Sequence, residues 1–120
     1  VRAALANAKA AGPAVAASIE WRVGDARELA PWDPPAAIVA NPPYGERVGG
    51  DKYMLEGFWR SLGAHLRELD GHTAFMLCPS PQMIRCLGMR PTWQRRLMNG
   101  PIPVALCRFE LGRQRRAARR

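Results

Sequence analysis

Cysteine is scarce, and Cys78, Cys86 and Cys107 are odd in number with no Cys-x-x-Cys spacing. That excludes a disulfide framework and a zinc knuckle, and fits buried free thiols in a reducing, cytoplasmic compartment. Histidine is as sparse. His65 and His72 stand alone, so no metal site is expected. No apolar run approaches the length that crosses a bilayer and no signal-peptide pattern occurs, so no membrane partner is expected. Acid is short too: 10 Asp and Glu stand against 18 Lys and Arg, a net charge of +8. Lysine is almost missing, with Lys9 and Lys52 alone, so part of the arginine excess is compositional bias alongside the many alanines. The end of the chain, Gly112 to Arg120, holds five arginines and no acid, and eight minus five leaves +3 for the rest. Residues 1–111 therefore read as one small domain and 112–120 as a basic, disordered tail. The tail can add phosphate affinity that salt would weaken, so the charge admits a nucleic-acid partner.

The remaining pattern is that of an α/β protein. Arg2 to Ala11 is alanine-rich and predicts a helix stopped by Gly12-Pro13. Ser18 to Val23 alternates apolar and polar residues, a half-buried strand with Gly24-Asp25 at its carboxyl end. Ala26 to Leu29 suits a short helical turn before the proline-rich loop of residues 31–35. Ala36 to Ala40 is continuously apolar, as expected of a parallel strand covered on both faces. Tyr53 to Leu69 carries Met54, Leu55, Phe58, Trp59, Leu62 and Leu66 at helical spacing, and Trp59 reads as core filling. Thr73 to Cys78 predicts a strand and Pro81 to Leu87 a short helix. Thr92 to Met98 and Ile102 to Leu111 predict a hairpin around Asn99-Gly100-Pro101.

The apolar run at 36–40 ends abruptly in Asn41-Pro42-Pro43-Tyr44-Gly45. Two prolines hold φ near −65° and carry no N–H, so the loop is stiff and its carbonyls are free to accept from elsewhere. Asn41 adds a side-chain carbonyl and Tyr44 a flat ring. Paired acceptors beside a stacking plate suit a planar group with an exocyclic amine. The same residues also occur in ordinary loops, with Tyr44 capping a core. Placement at the carboxyl end of a buried strand favours a ligand, because open α/β sheets bind ligands there.

Apolar strand plus Asn41-Pro42-Pro43-Tyr44 resembles the catalytic loop of S-adenosylmethionine-dependent amino-methyltransferases. The longer string Asn41 to Gly49 closely resembles the guanine-N2 methyltransferases of bacterial large-subunit ribosomal RNA, relatives of the THUMP-linked RNA methyltransferases. Gly24-Asp25-Ala26 and Asn99-Gly100-Pro101 match that family's order. The resemblance covers nearly the whole chain apart from the arginine tail. It implies a partial Rossmann-like class I methyltransferase sheet, S-adenosyl-L-methionine as cofactor and large-subunit ribosomal RNA as partner. It further implies catalytic roles for Asn41, Pro42, Pro43 and Tyr44. Asn41 and the Pro42 carbonyl would accept from the target amine, and Tyr44 would stack on the base. Asp25, Ala26 and Asn41 would line the cofactor, Asp25 accepting from its adenine amine. From the residues alone, Asp25 is equally a turn-forming aspartate after a strand. Glu46 and Arg47 carry no catalytic role in this reading, and Asp51 and Lys52 enter the next helix.

The chain departs from the family's pattern at its start. The family's opening strand with a glycine-rich loop, and the second strand ending in an acidic residue, have no counterpart, and no Gly-x-Gly occurs anywhere. The RNA-binding THUMP region has none either. The chain therefore resembles the carboxyl-terminal part of a catalytic domain. The first two strands are missing from between the segment at 18–23 and the strand at 36–40, and a terminal antiparallel hairpin is retained. Exposed strand edges follow, together with the expectation that the isolated chain is poorly stable and inactive. Two other readings stay open: a non-catalytic basic RNA-binding remnant, and an amino-methyltransferase acting on adenine or cytosine in DNA.

Overall fold

The computed structural model describes residues 1–44 and 52–112. The whole string Gly45 to Gly49, with Glu46 and Arg47, lies outside the described residues, as do Asp51 and the arginines of the tail. Helix α1 spans Arg2–Ala11 and α2 spans Pro13–Ala17. Gly12-Pro13 does stop α1, but Pro13 also starts α2, since a proline at the first helical position gives up an N–H that has no partner there. Ala26–Glu28 forms a single 3-10 turn. Strand β1 is Ala37–Ala40, α3 Lys52–Leu66, β2 Thr73–Cys78, α4 Pro81–Leu87, β3 Trp93–Asn99 and β4 Ile102–Glu110.

The four strands order as β1-β2-β4-β3. Strand β1 runs parallel to β2, whereas β4 is antiparallel to both β2 and β3. Gly100-Pro101 closes the β3–β4 hairpin. Gly100 takes φ +61°, a conformation that the first position of such a two-residue turn demands and that a side chain would resist.

Helices α3 and α4 cover one face of this sheet. Trp59, Leu62 and Leu66 from α3 and Met83 and Leu87 from α4 bury against Ala74, Met76 and Cys78 of β2 and Cys107 and Phe109 of β4. Burial of each large side chain here contributes about 1.5–3 kcal/mol. The two helices touch at Gly63, where an added Cβ would lie 2.2 Å from the Leu87 carbonyl oxygen. Only glycine fits that crossing. Ser80 caps α4 by accepting from the Met83 N–H, and Gly88 closes it at φ +69°. The three cysteines are free, with Cys78 and Cys107 buried. A hydrogen bond with Cys107, together with burial, pushes the Cys78 thiol up, so it stays protonated. No helix among the described residues is long and apolar enough to cross a membrane.

Two sequence expectations fail at the same edge. Ser18 to Val23 forms no strand. A strand needs a neighbour for its N–H and C=O groups, and no described segment runs beside this one. Its apolar side chains stay exposed, Val23 at 85%. The strand at 36–40 is not covered on both faces either. Strand β1 pairs only with β2, its burial alternates, and Val39 is 81% exposed.

Buried His72 ties the loop at 31–35 to the sheet. Its Nε2 accepts from the Trp32 N–H at 3.0 Å, so its proton sits on Nδ1 and is donated to the Asp70 carbonyl at 3.0 Å. His65 donates from Nε2 to the Leu29 carbonyl at 2.7 Å, fixing the end of the 3-10 turn to α3. Both histidines are structural anchors in this fold.

Candidate active site

Asn41 is the first residue past β1, at the carboxyl end of the parallel pair β1–β2. The four residues of the loop face four environments. Asn41 is exposed and its side chain makes no hydrogen bond among the described residues. Pro42 is buried, so the peptide that follows Asn41 is locked against the protein. Pro43 is exposed, but its carbonyl accepts from the Trp59 indole N–H at 3.0 Å. Tyr44 is half-buried, packs against the core, and its hydroxyl accepts from the Asn99 side-chain amide.

Two residues that the sequence reading did not place in the site thus hold the loop from opposite sides. Trp59 reaches it from α3, and Asn99 from the turn of the β3–β4 hairpin. For Trp59 a signal was available: a fully buried indole needs a partner for its N–H, and a proline-rich loop offers carbonyls that no strand uses. For Asn99 the neighbourhood with Tyr44 across 55 positions of sequence comes only from the hairpin folding back.

With Pro43 engaged, the Asn41 side-chain oxygen and the Pro42 carbonyl are the loop acceptors without a hydrogen bond among the described residues, and Asn41 and Pro42 are set at the carboxyl end of β1. They border a hollow of about 320 Å³ whose walls include Ala26, Leu29, Ile38, Phe58 and Met76. The hollow is almost entirely apolar apart from Asn41. Ala26 and Asn41, both assigned to the cofactor by the resemblance, line this same hollow.

Asp25 is set slightly apart, in a neighbouring concavity of about 410 Å³ that shares Ala26 and Leu29 with the first. Its carboxylate caps the 3-10 turn by accepting the Arg27 N–H at 2.9 Å. It also takes Arg27 Nε at 3.0 and 3.2 Å and the terminal guanidinium nitrogen at 2.7 Å. These hydrogen bonds hold its pKa down at about 2. Three Arg27 N–H groups thus make four contacts to the carboxylate, which offers about four lone-pair sites. The turn-forming role is the one seen, and a ligand amine at Asp25 would have to displace an Arg27 contact. The Arg27 guanidinium also sits 5.2 Å over the Phe58 ring, joining this corner to α3.

A stiff acceptor loop at the carboxyl end of a partly parallel α/β sheet, beside an apolar hollow, defines the class: part of a Rossmann-like class I methyltransferase sheet. The RMKL-like, methyltransferase domain family matches residues 1–108, and the chain belongs to that family. It is 30% identical over 102 residues to the ribosomal RNA large subunit methyltransferase K/L of Shewanella baltica OS195, covering 85% of this chain. Over 80 residues it is 38% identical to the protein of the same name from Allochromatium vinosum, covering 66% of this chain. The chain spans only 14% and 11% of those proteins' lengths. Among solved structures, a possible methylase from Clostridium difficile 630 aligns with TM-score 0.69 at 27% identity, over 79% of this chain and 25% of that one. SMU.472, solved in complex with SAH, aligns with TM-score 0.58 at 27% identity, over 64% of this chain and 20% of that one.

Proposed function

We propose that the chain is the carboxyl-terminal part of the catalytic domain of an S-adenosylmethionine-dependent methyltransferase. In this reading it modifies the exocyclic N2 of a guanine in large-subunit ribosomal RNA. One observation carries it: an exposed Asn41, with no side-chain hydrogen bond among the described residues, and a buried Pro42 together line an apolar hollow at the end of β1.

The residues present fit the adenine end of the cofactor. Ala26, Leu29 and Phe58 offer apolar walls, and the ionised Asp25 carboxylate stands one residue from Ala26 as an acceptor for an amine that displaces part of Arg27. S-adenosylmethionine, when bound, supplies a methyl group on a positively charged sulfur. The protein's task is to prepare the nitrogen. An amino group on a purine ring is a poor nucleophile because its lone pair is delocalised into the ring. Asn41 Oδ1 and the Pro42 carbonyl each accept one of its two N–H bonds, which favours a pyramidal nitrogen and fixes the direction of its lone pair. Such positioning, with acceptors aimed where positive charge develops on nitrogen, can supply much of the barrier reduction. No strong base is needed at the outset, because the nitrogen becomes acidic only as the new bond forms. Tyr44, half-buried against the core with its hydroxyl held by Asn99, would stack on a base that has left its helix.

The test uses the protein expressed from its whole reading frame, with large-subunit ribosomal RNA and duplex DNA as alternative acceptors. Methyl transfer to guanine N2 in RNA is expected, with at least a hundredfold loss in Asn41→Ala, about 2.7 kcal/mol of transition-state stabilisation. Transfer to DNA alone would move the assignment to adenine or cytosine. RNA binding with no transfer at all would make the chain a binding remnant.

A further inference from the structure

We infer that the groove between α4 and the edge strand β3 binds the phosphodiester backbone of the RNA strand that carries the target base, with Arg96 as its phosphate contact. This rests on the reading above for where the base goes, and on separate observations for the groove itself.

Helix α4 is only seven residues long and packs over β2. It stops short of β3, whose residues are almost all exposed. The gap left between them is a groove of about 340 Å³ lined in part by Pro79, Ser80, Ile84, Arg96 and Pro103. The register decides which arginine turns into it. Arg96 pairs with Ala105, and Ala105 pairs with Cys78, so Arg96 lies on the sheet face that α4 covers. Arg95 lies on the other face, its guanidinium 5.6 Å over the Trp93 ring.

Charge in the groove is unbalanced. Its lining holds arginine and no acidic residue. The nearby cations elsewhere are engaged: Arg85 donates to Gln82 at 2.7 Å and Arg108 pairs with Glu110 at 2.8 Å. Arg96 has no ion pair, hydrogen bond or ring contact among the described residues. An unpaired guanidinium over a partly apolar channel is suited to a phosphate, which it can grip with two parallel N–H donors. The proline rim adds no N–H donors of its own at Pro79, Pro81 and Pro103, so anion binding there falls to Arg96, Ser80 and Gln94.

Placement ties the groove to the candidate active site. Arg96 lies three residues before Asn99 on β3, about 10 Å at a strand's rise; by alternation the two occupy opposite faces, and Asn99, beside the turn, holds the Tyr44 hydroxyl. That is the length of about three stacked nucleotides at 3.4 Å per phosphate. A strand whose base enters the hollow beside Asn41 would pass the turn end of β3 and bring its flanking phosphates to Arg96 on the face that α4 covers.

The experiment measures binding of a 5′-labelled single-stranded RNA of about 20 nucleotides by anisotropy, across a salt series, with the whole-reading-frame protein. Arg96→Ala is expected to weaken binding several-fold and to flatten the slope of log affinity against log salt by about 0.7, the value for one single-strand phosphate contact. Arg96→Lys keeps most of that slope. Arg85→Ala, on α4 but outside the groove lining, leaves binding unchanged. Wild-type affinity and slope in Arg96→Ala would overturn the proposal, as would an equal loss in Arg85→Ala. Asn41→Ala separates the two readings. If it abolishes methyl transfer while Arg96→Ala changes nothing, the groove falls and the catalytic reading stands. If Arg96→Ala flattens the slope while Asn41→Ala transfers normally, the catalytic reading falls and the groove stands.

Discussion

Replacing Trp59 by phenylalanine tests whether the acceptor loop is held from α3. Trp59 is 0% exposed, and its N–H meets the Pro43 carbonyl at 3.0 Å. Phenylalanine keeps the apolar ring and deletes the donor. Because Pro43 is exposed, water can reach its carbonyl, so the hydrogen-bond loss is about 1 kcal/mol and not a full desolvation penalty. The smaller ring leaves roughly 40 Å³ unfilled, which at about 24 cal/mol per Å³ adds about 1 kcal/mol. The sum, about 2 kcal/mol, is a large share of a small domain's stability. Denaturant melts at unchanged slope should read it as a shifted midpoint. In the protein expressed from its whole reading frame the loop also loses its tether, so turnover per folded molecule should fall about tenfold while affinity for S-adenosylmethionine holds. Leu69→Ala is the control: it opens a core cavity away from the hollow, costs about 2–5 kcal/mol, and should leave turnover per folded molecule intact. A Trp59→Phe destabilisation below about 0.5 kcal/mol would deny the hydrogen bond its net value. Equal turnover losses in the two variants would refute the tether.

Gly63→Ala should be more damaging than its one methyl suggests. The new Cβ would meet Leu87 backbone atoms at 2.2–2.6 Å, and backbone cannot step aside as a side-chain tip can. A loss at the upper end of the overpacking range, about 3 kcal/mol, is expected in thermal or denaturant melts. Asp25 should stay ionised to unusually low pH, since Arg27 holds its pKa at about 2 against the ordinary 3.8. A folded pKa below the unfolded one means that the contribution is present above about pH 3.8 and lost as pH falls through about 2. Carboxyl chemical shifts through an acid titration check this, and Arg27→Ala should return the midpoint toward the ordinary value. A midpoint near 3.8 in the unaltered protein would mean that the Arg27 contacts do not persist in solution.

What could be read ahead of the structure follows the range of the interactions involved. Strand β2 and helix α4 match their expected bounds because both are set locally: an apolar run between turn residues, and a Ser-Pro start with a glycine stop. The hairpin is similarly local, written in Asn99-Gly100-Pro101. Where expectation failed, the deciding partner was not in the pattern. Ser18 to Val23 has the right alternation for a strand, yet alternation only says that one face prefers burial. Pairing supplies the hydrogen bonds, and without a neighbour the segment stays irregular. Val39 has the side chain of a central strand and the exposure of an edge for the same reason.

The candidate site divides along the same line. That Asn41 and Pro42 sit at a strand's carboxyl end was legible, because a motif placed there carries its own geometry. Asp25 was legible as a residue but not as a contact, since Arg27, two positions on, claims the acceptors assigned to a ligand. The two supports of the loop were not legible, lying 16 and 55 residues away from the groups they hold. Their placement carries a mechanistic point. The Pro42 carbonyl can present itself to an amine only if its neighbours on the loop cannot turn. Proline fixes one dihedral of each residue, and the Trp59 and Asn99 hydrogen bonds restrain what proline leaves free. The loop's rigidity is thus split between its own sequence and two distant donors. If the hollow takes the cofactor as proposed, weakening either donor should lower turnover before it weakens cofactor binding, since the hollow is walled mostly by other residues.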